Sequence, residues 1–384
     1  MKSVKLSRRL KWIVVWTLAA AALMAGGLLL TAAAEPGGPQ QVARIEPTPL
    51  PEVVRKPIAV EDPLTALLHR ATVLAPHSHG NLTVFPVAAS HIGDFGSVLT
   101  MDEALTRGLL VIQEVGGGSV NQVLAVNRSD RYVFLMASEM IGGAKQDRTV
   151  AEDVLLAPRS KAQVPVFCVE AHRWTAAAPD ARFRVMEFNA PMTVRRTARL
   201  KQDQSAVWAE VAREQERLEA PSATGAIRSV YESRHVQQKL APYVSVLSDV
   251  PSAAPNVIGV VIARGDRIIC ADLFYRPDLF RRLWPRLLRS YAADVVGKPG
   301  GSRRATVGDA ERFLGRLYHA ERTIIETPGA GRAIRLHRAG VNGSALIHGR
   351  SVVHLEVFPG IELLRPGEPV RPMDLDLRRQ RLEE

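Results

Sequence analysis

Apolar residues between Asn81 and Phe188 come in short runs, each ended within a few positions by glycine, asparagine, aspartate or proline. The runs "NLTVFPVAA", "VIQEV", "VNQVLAVN", "RYVFLMASEMI", "TVAEDVLLA", "AQVPVFCVE" and "RFRVMEF" read as strands, because β-branched and aromatic side chains suit a pleated, half-buried surface. "TMDEALTRGLL" interrupts them as a helix: Thr100 and Glu103 stand at capping-box spacing and Gly108 stops it. After Pro191 the apolar period lengthens. "LKQDQSAVWAEVAREQERLEA" (Leu200–Ala220) puts Leu200, Gln204, Val207, Trp208, Val211 and Leu218 on one helical face. "VYESRHVQQKLAPYVSVL" is a helix with a break at Pro242. "RPDLFRRLWPRLLRSYAADV" is a helix with Pro277 in its first turn, and Pro285 kinks or restarts it. "NVIGVVIARGDRIICADLF" is a hairpin turning at Arg264–Asp266. A short helix over Val307–His319 and three strand-like runs between Thr323 and Phe358 follow.

This pattern predicts an α+β fold: a mostly antiparallel β layer, sandwich- or barrel-like, from about Pro63 to Pro191, covered by the later helices and joined by the Val257–Phe274 hairpin. The main domain runs over 63–297, with 298–358 as an α/β extension packed on it and 359–384 as a charged tail. Ahead of the domain, residues 35–62 form a linker rich in proline and glycine. Residues 1–34 combine the basic "MKSVKLSRRLK" with a charge-free apolar run of 23 residues, Trp12–Ala34. That is the layout of an export signal, with "TAAAEP" as its cleavage site, or of an uncleaved membrane anchor. Both place the rest of the chain outside the cytoplasm, periplasmic or extracellular.

Charge and cysteine content change the picture little. The formal charge of +11 falls to +6 without residues 1–34, so much of the basic character belongs to the leader. The remainder is a mixed-charge surface, and no nucleic-acid partner is expected. Cys168 and Cys270, the two cysteines, each sit in an apolar strand-like run, which leaves one disulfide and two buried thiols both open. No histidine spacing suggests a metal site, and no cofactor is implied.

The chemistry concentrates in "GGAKQDR" (Gly142–Arg148) and "VPVFCVEAHRW" (Val164–Trp174). In a strand, Val164, Val166, Cys168 and Glu170 share one face, which puts Glu170 at the end of an apolar row. A carboxylate there needs a partner, and Lys145, Arg148 and Arg173 are the candidates. In one reading Glu170 and an arginine form a buried ion pair that fixes the turn on the strand. In the other, Glu139, Asp147 and Glu170 converge with Lys145 and Arg173 around a ligand, with Glu139 or Glu170 as general base and Trp174 stacking on a planar group. Gln204, on the apolar face of its helix, needs hydrogen-bond partners of its own.

In their order along the chain, "LTVFPV", "MDEAL", "EMIGGAKQDR", "VPVFCVEAHRW", "DQSAVWAEV" and "ADLFYRPDLFRRLWPRLLRSYA" resemble the ADP-ribosylglycohydrolase and rhodanese-phosphatase-superfamily-associated protein domain family, over roughly residues 81–293. The family's polar pattern falls on Glu139, Lys145, Gln146, Arg148, Glu170, Arg173, Trp174 and Gln204, among others. Two positions depart from it: Asp147 replaces the usual asparagine and His172 the usual glycine. The resemblance implies handling of ADP-ribose or a related phosphorylated nucleotide derivative. The expectation is therefore an exported or membrane-anchored domain with a pocket for an anionic small molecule, and hydrolysis as its enzymatic version. Catalysis would use Glu139 and Glu170; binding would use Lys145, Gln146, Asp147, Arg148, His172, Arg173, Trp174 and Gln204. The alternative is a non-catalytic envelope module for protein or glycan whose polar cluster is structural.

Overall fold

The computed structural model describes residues 62–90, 95–115, 121–173 and 183–360. The leader, nearly all of the linker, Trp174 and the tail beyond Gly360 lie outside the described residues. None of the described helices is long and apolar enough to cross a membrane.

Among the described residues the period-two runs build three sheets. The largest has nine strands, with Leu82–Ala89, Val257–Arg264, Arg267–Phe274, Ser351–Pro359 and Val341–His348 adjacent in that order at its centre. Leu82–Ala89 is buried at every position, as a near-continuous apolar run requires when both faces of a sheet are covered. Leu64, Leu67 and Phe313 of the helices Pro63–Arg70 and Val307–Gly315 pack with Phe85, Val261 and Leu355 on one face. On the other face, Phe280, Trp284 and Leu287 of the helix Pro277–Val295 meet Val84, Ile262 and Val353. Burial of such a side chain stabilises by about 1.5–3 kcal/mol, so this stripe holds the helix in place.

A six-stranded sheet follows the order Phe183–Asn189, Glu139–Gly143, Arg148–Val150, Lys161–Cys168, Gln122–Asn127, Leu110–Glu114. With a three-stranded sheet of Val154–Leu156, Val133–Leu135 and Leu99–Thr100, it encloses a core that includes Met101, Ile112, Leu135, Ile141 and Val164. Pairing among the described strands is antiparallel except between Leu99–Thr100 and Val133–Leu135. The fold is thus α+β and mostly antiparallel, a single domain in which the smaller sheets are inserted between two neighbouring strands of the large one.

Several elements depart from the sequence expectation for local reasons. "RYVFLMASEMI" is two strands, because the Met136 amide donates to Glu139 Oε2 at 2.8 Å and Ser138 takes a φ of 77°. "TVAEDVLLA" likewise splits, into Arg148–Val150 and Val154–Leu156. The helix expected over Leu200–Ala220 is Gln204–Arg217, preceded by a separate helix, Met192–Lys201. Gln202 breaks the two apart at φ 51°, and Asp203 caps the second by accepting from the Ala206 amide at 2.7 Å. Pro242 and Pro285 sit inside unbroken helices, Arg234–Leu247 and Pro277–Val295. Both prolines are exposed, so water can satisfy the carbonyls they leave unpaired. Ser233, the cap of Arg234–Leu247, makes the break instead. Four strands rather than three lie between Glu321 and Pro359. The hairpin turns where expected, with Gly265 at φ 57°.

Candidate functional site

The two motifs that stood apart in sequence meet in space. Cys168 ends its strand opposite Arg148, and Val166, Phe167 and Cys168 pair with Val150, Thr149 and Arg148. The turn before Arg148 therefore lies beside the residues that follow Cys168. Gly143, at φ 111°, lets the chain reverse and donate its amide to Asp147 Oδ1 at 3.2 Å. Asp147 then accepts from Arg228, Nε at 2.5 Å and Nη2 at 2.6 Å, and from Arg173 Nη2 at 3.2 Å. Glu170 pairs with Arg173 at 2.6 Å and accepts from Thr224 Oγ1 at 2.7 Å and the Asp147 amide at 3.2 Å. Gln146 Nε2 donates to the Glu170 carbonyl at 2.9 Å.

Asp147 and Glu170 are 0% and 2% exposed, whereas the Arg173 and Arg228 side chains are 22% and 34% exposed. The carboxylates form a buried floor and the guanidinium groups stand above it. Burial pushes Asp147 above the ordinary aspartate range despite Arg228. At Glu170 burial acts in the same direction, but the hydrogen bonds from Arg173, Thr224 and the Asp147 amide outweigh it and hold the carboxyl below its usual value.

Above this floor opens a cleft of about 1470 Å³. Arg173 and Arg228 line one part of it with Gly142 and Gly143; the strand residues Phe183–Phe188 and the helical residues Leu240, Ala241 and Val244 line the rest, with Tyr231 and Arg289. Arg228 Nη1 has no hydrogen-bond partner among the described residues. Phe188 and Tyr231 stack in the wall at 3.9 Å between ring centres, with their planes 15° apart.

The other sequence-predicted residues take different places. Glu139 lies at the far end of the strand Glu139–Gly143, where it pairs with Arg286 at 3.1 Å and shares that arginine with Asp102. It has no partner in common with Glu170, and burial raises its carboxyl to about 7. Arg148 is fully buried, donating to Glu114 at 2.7 Å and to the Gln122 carbonyl at 3.2 Å. The Lys145 amide donates to Glu114 Oε1 at 3.3 Å. His172 is exposed, with its amide bonded to the Thr224 carbonyl at 2.9 Å. Gln204 accepts from the Cys168 amide at 2.9 Å and donates to the Cys168 carbonyl at 2.8 Å, so its side chain completes a strand edge as a backbone would. Cys168 and Cys270 are buried free thiols, and burial pushes Cys168 up to about 11.

A second ionic cluster escaped the sequence reading. Arg195 pairs with Asp272 and Glu356, and Arg199 Nε donates to Glu356 at 3.0 Å. His354 bridges Asp153 at 2.8 Å and Asp272 at 3.1 Å, and Tyr291 donates to Asp272 Oδ2 at 2.5 Å. All these residues are buried, joining the large sheet to the helix Met192–Lys201 and to the inserted strands. Burial alone would lower the His354 pKa, but Asp153 and Asp272 raise it to about 9. Protonated His354, Arg195 and Arg199 then balance Asp153, Asp272 and Glu356. The readable signal was a charged residue inside a run that is otherwise apolar, as in "ICADLF" and "VVHLEVF". Arg228, Tyr231 and Arg289, which line the cleft, had no comparable signal.

Fold and cleft together define an α+β domain with arginines presented on a buried acidic floor. The chain belongs to the ARG and Rhodanese-Phosphatase-superfamily-associated Protein domain family, ARPP-1, whose model matches residues 70–358. The match reaches beyond residue 293 to take in the C-terminal strands of the large sheet. No curated protein and no solved structure matches the chain.

Proposed function

We propose that the cleft binds an anionic small molecule, with Arg228 and Arg173 as the anion-recognising groups. The observation that carries this reading is the division of labour at the floor: Asp147 holds two guanidinium nitrogens of Arg228 and leaves Nη1 directed to other partners. A guanidinium fixed in this way recognises a phosphate or carboxylate with little loss of side-chain freedom. The stacked Phe188 and Tyr231 offer an apolar wall for a planar group. An ADP-ribose- or nucleotide-derived ligand combines both features.

The geometry favours binding over hydrolysis at Glu170. Both of its oxygens already accept hydrogen bonds, which leaves it poorly placed to take a proton from water. We propose further that the domain works outside the cytoplasm, on the strength of the basic and apolar pattern of residues 1–34.

Calorimetric titration of the full chain with ADP-ribose, inorganic pyrophosphate and adenosine tests the binding reading. Saturable binding of the two anions, weakened at least about tenfold in Arg228→Ala, is the expected result. Binding of adenosine as tight as that of ADP-ribose, or anion binding that Arg228→Ala leaves unchanged, would sink it. A phosphatase fusion at residue 62, active only after export, checks the location.

A further inference from the structure

Glu321–Ile325 ends the nine-stranded sheet, paired on one side with Arg332–His337 and on the other with no described strand. Its five residues pair one to one, without a bulge, and the strand contains no lysine or proline to deter a neighbour. The two charges at its start are turned to their own chain. Glu321 pairs with His337 at 3.1 Å and with Arg338 at 2.9 Å, and Arg322 pairs with Asp62. Beyond them, Thr323 and Ile324 point to opposite faces of the sheet and both are exposed, so neither face is covered at the middle of the strand. Ile324, at 66%, is the most exposed of the large apolar side chains among the described residues. Among those residues, no main-chain group outside Arg332–His337 hydrogen-bonds to the backbone of 322–326.

The sequence of this edge decides its occupant. When two copies pair antiparallel across a two-fold axis, residues set opposite each other share a face, so the axis passes through a residue. An axis at Thr323 sets Ile324 against Arg322 and Ile325 against Glu321; an axis at Ile325 sets Ile324 against Glu326. With the axis at Ile324 every pair matches. Ile324 meets its own counterpart, Thr323 meets Ile325, and Arg322 meets Glu326, which is exposed and has no ion-pair partner among the described residues. We infer that Glu321–Ile325 is the contact of a homodimer, in which the edge strands of two copies pair antiparallel about Ile324 and join the two large sheets into one. Main-chain groups of an open edge bond to any strand, whereas this side-chain register fits a second copy of the same chain. None of these residues lines the cleft, so the inference stands apart from anion binding there.

The test is oxidative cross-linking of the full chain carrying Ile324→Cys. Cα atoms directly opposite in an antiparallel pair lie about 4.5–5.5 Å apart, inside the roughly 4.4–6.8 Å that a disulfide spans. Cys168 and Cys270 are buried and do not compete. Ile324→Cys is expected to give a disulfide-linked dimer at least about tenfold faster than two other variants. These are Thr323→Cys, which has no cysteine opposite it, and Val246→Cys, exposed on the helix Arg234–Leu247. Sedimentation velocity of the unaltered chain, up to ~0.2 mM, should show a dimer that Ile324→Lys weakens at least about tenfold. Glu326→Lys, which sets a cation against Arg322, should weaken it several-fold. Both side chains are exposed, so neither change threatens the fold. A monomer at every concentration overturns the inference and leaves the edge to a different partner. Cross-linking at residue 323 or 246 as fast as at 324 overturns it too, as does a dimer that Ile324→Lys leaves intact.

Discussion

Two of the arginine–carboxylate clusters among the described residues are built from the same chemistry and put to opposite ends. Around Arg195 every guanidinium and carboxylate is buried, and three cations meet three anions. Around Asp147 the carboxylates are buried but the guanidinium groups emerge into a cleft. Desolvation separates the two. A charge sealed from water costs several kcal/mol unless paired, and burial closes the inner cluster to a ligand even though Arg199 Nη2 makes no hydrogen bond. The outer one keeps its arginines partly hydrated, and the surplus donor at Arg228 remains available. An ion pair alone therefore says little about function; what decides is which partner faces water.

The sharpest way to break this contrast is Arg195→Met. It takes from buried Asp272 and Glu356 the guanidinium they share, leaving three cations' work to Arg199 and His354, and a loss of about 3–5 kcal/mol in the free energy of unfolding, or failure to yield folded protein, is expected by urea denaturation. A loss under about 1 kcal/mol would show that water reaches this cluster.

The next effect is a pH dependence. Folding raises His354 from its ordinary 6.5 to about 9, so the folded state keeps a proton that the unfolded chain releases. The stability this contributes is complete below pH 6.5 and is lost as the pH climbs to about 9, a fall of about 3 kcal/mol. Glu139 acts in the same sense at lower pH, from its ordinary 4.5 to about 7. His354→Gln should flatten the upper limb of the stability curve; an unchanged upper limb would refute the assignment.

At the floor of the cleft, Glu170→Gln replaces one acceptor with an amide that faces the Arg173 and Asp147 donors. A destabilisation of about 1–3 kcal/mol is expected in thermal unfolding. The smallest effect on stability belongs to Arg228→Ala, below about 1 kcal/mol because solvent screens its outer part, although anion affinity should drop about tenfold. The comparison fails if Arg228→Ala unfolds the protein as readily as Arg195→Met does.

Much of the fold was legible because period-two and helical runs record which faces are buried. The strand Lys161–Cys168 alternates exposed and buried in the register read from its sequence, and the Thr100–Glu103 capping box forms as spaced. Boundaries were less readable. The breaks at Ser138 and Gln202 depend on positive φ values that serine and glutamine do not advertise, and the continuity through Pro242 depends on exposure that only the tertiary structure settles. The proximity of Asp147, Glu170 and Arg173 was accessible because 26 residues or fewer separate them. Arg228 lies 81 residues from Asp147, and Arg195 lies 161 from Glu356, and no local pattern encodes such partners. Gln204 was rightly singled out as needing partners, but they are the backbone groups of Cys168.

The insertion of the smaller sheets between neighbouring strands of the large one has a consequence during synthesis. Leu82–Ala89 pairs with Val257–Arg264, and Arg267–Phe274 waits in turn for Ser351–Pro359. At about 5–20 residues per second, a ribosome needs roughly 10–35 s to supply the first of these partners, while the inserted sheets can already close on themselves. For that interval a strand buried at every position has only the short strands Ala71–Val73 and His77–His79 beside it, and its long partner is missing. Nascent chains arrested before Val257 should therefore be the most aggregation-prone species in the life of this protein, and the hairpin Val257–Phe274 the event that ends their exposure.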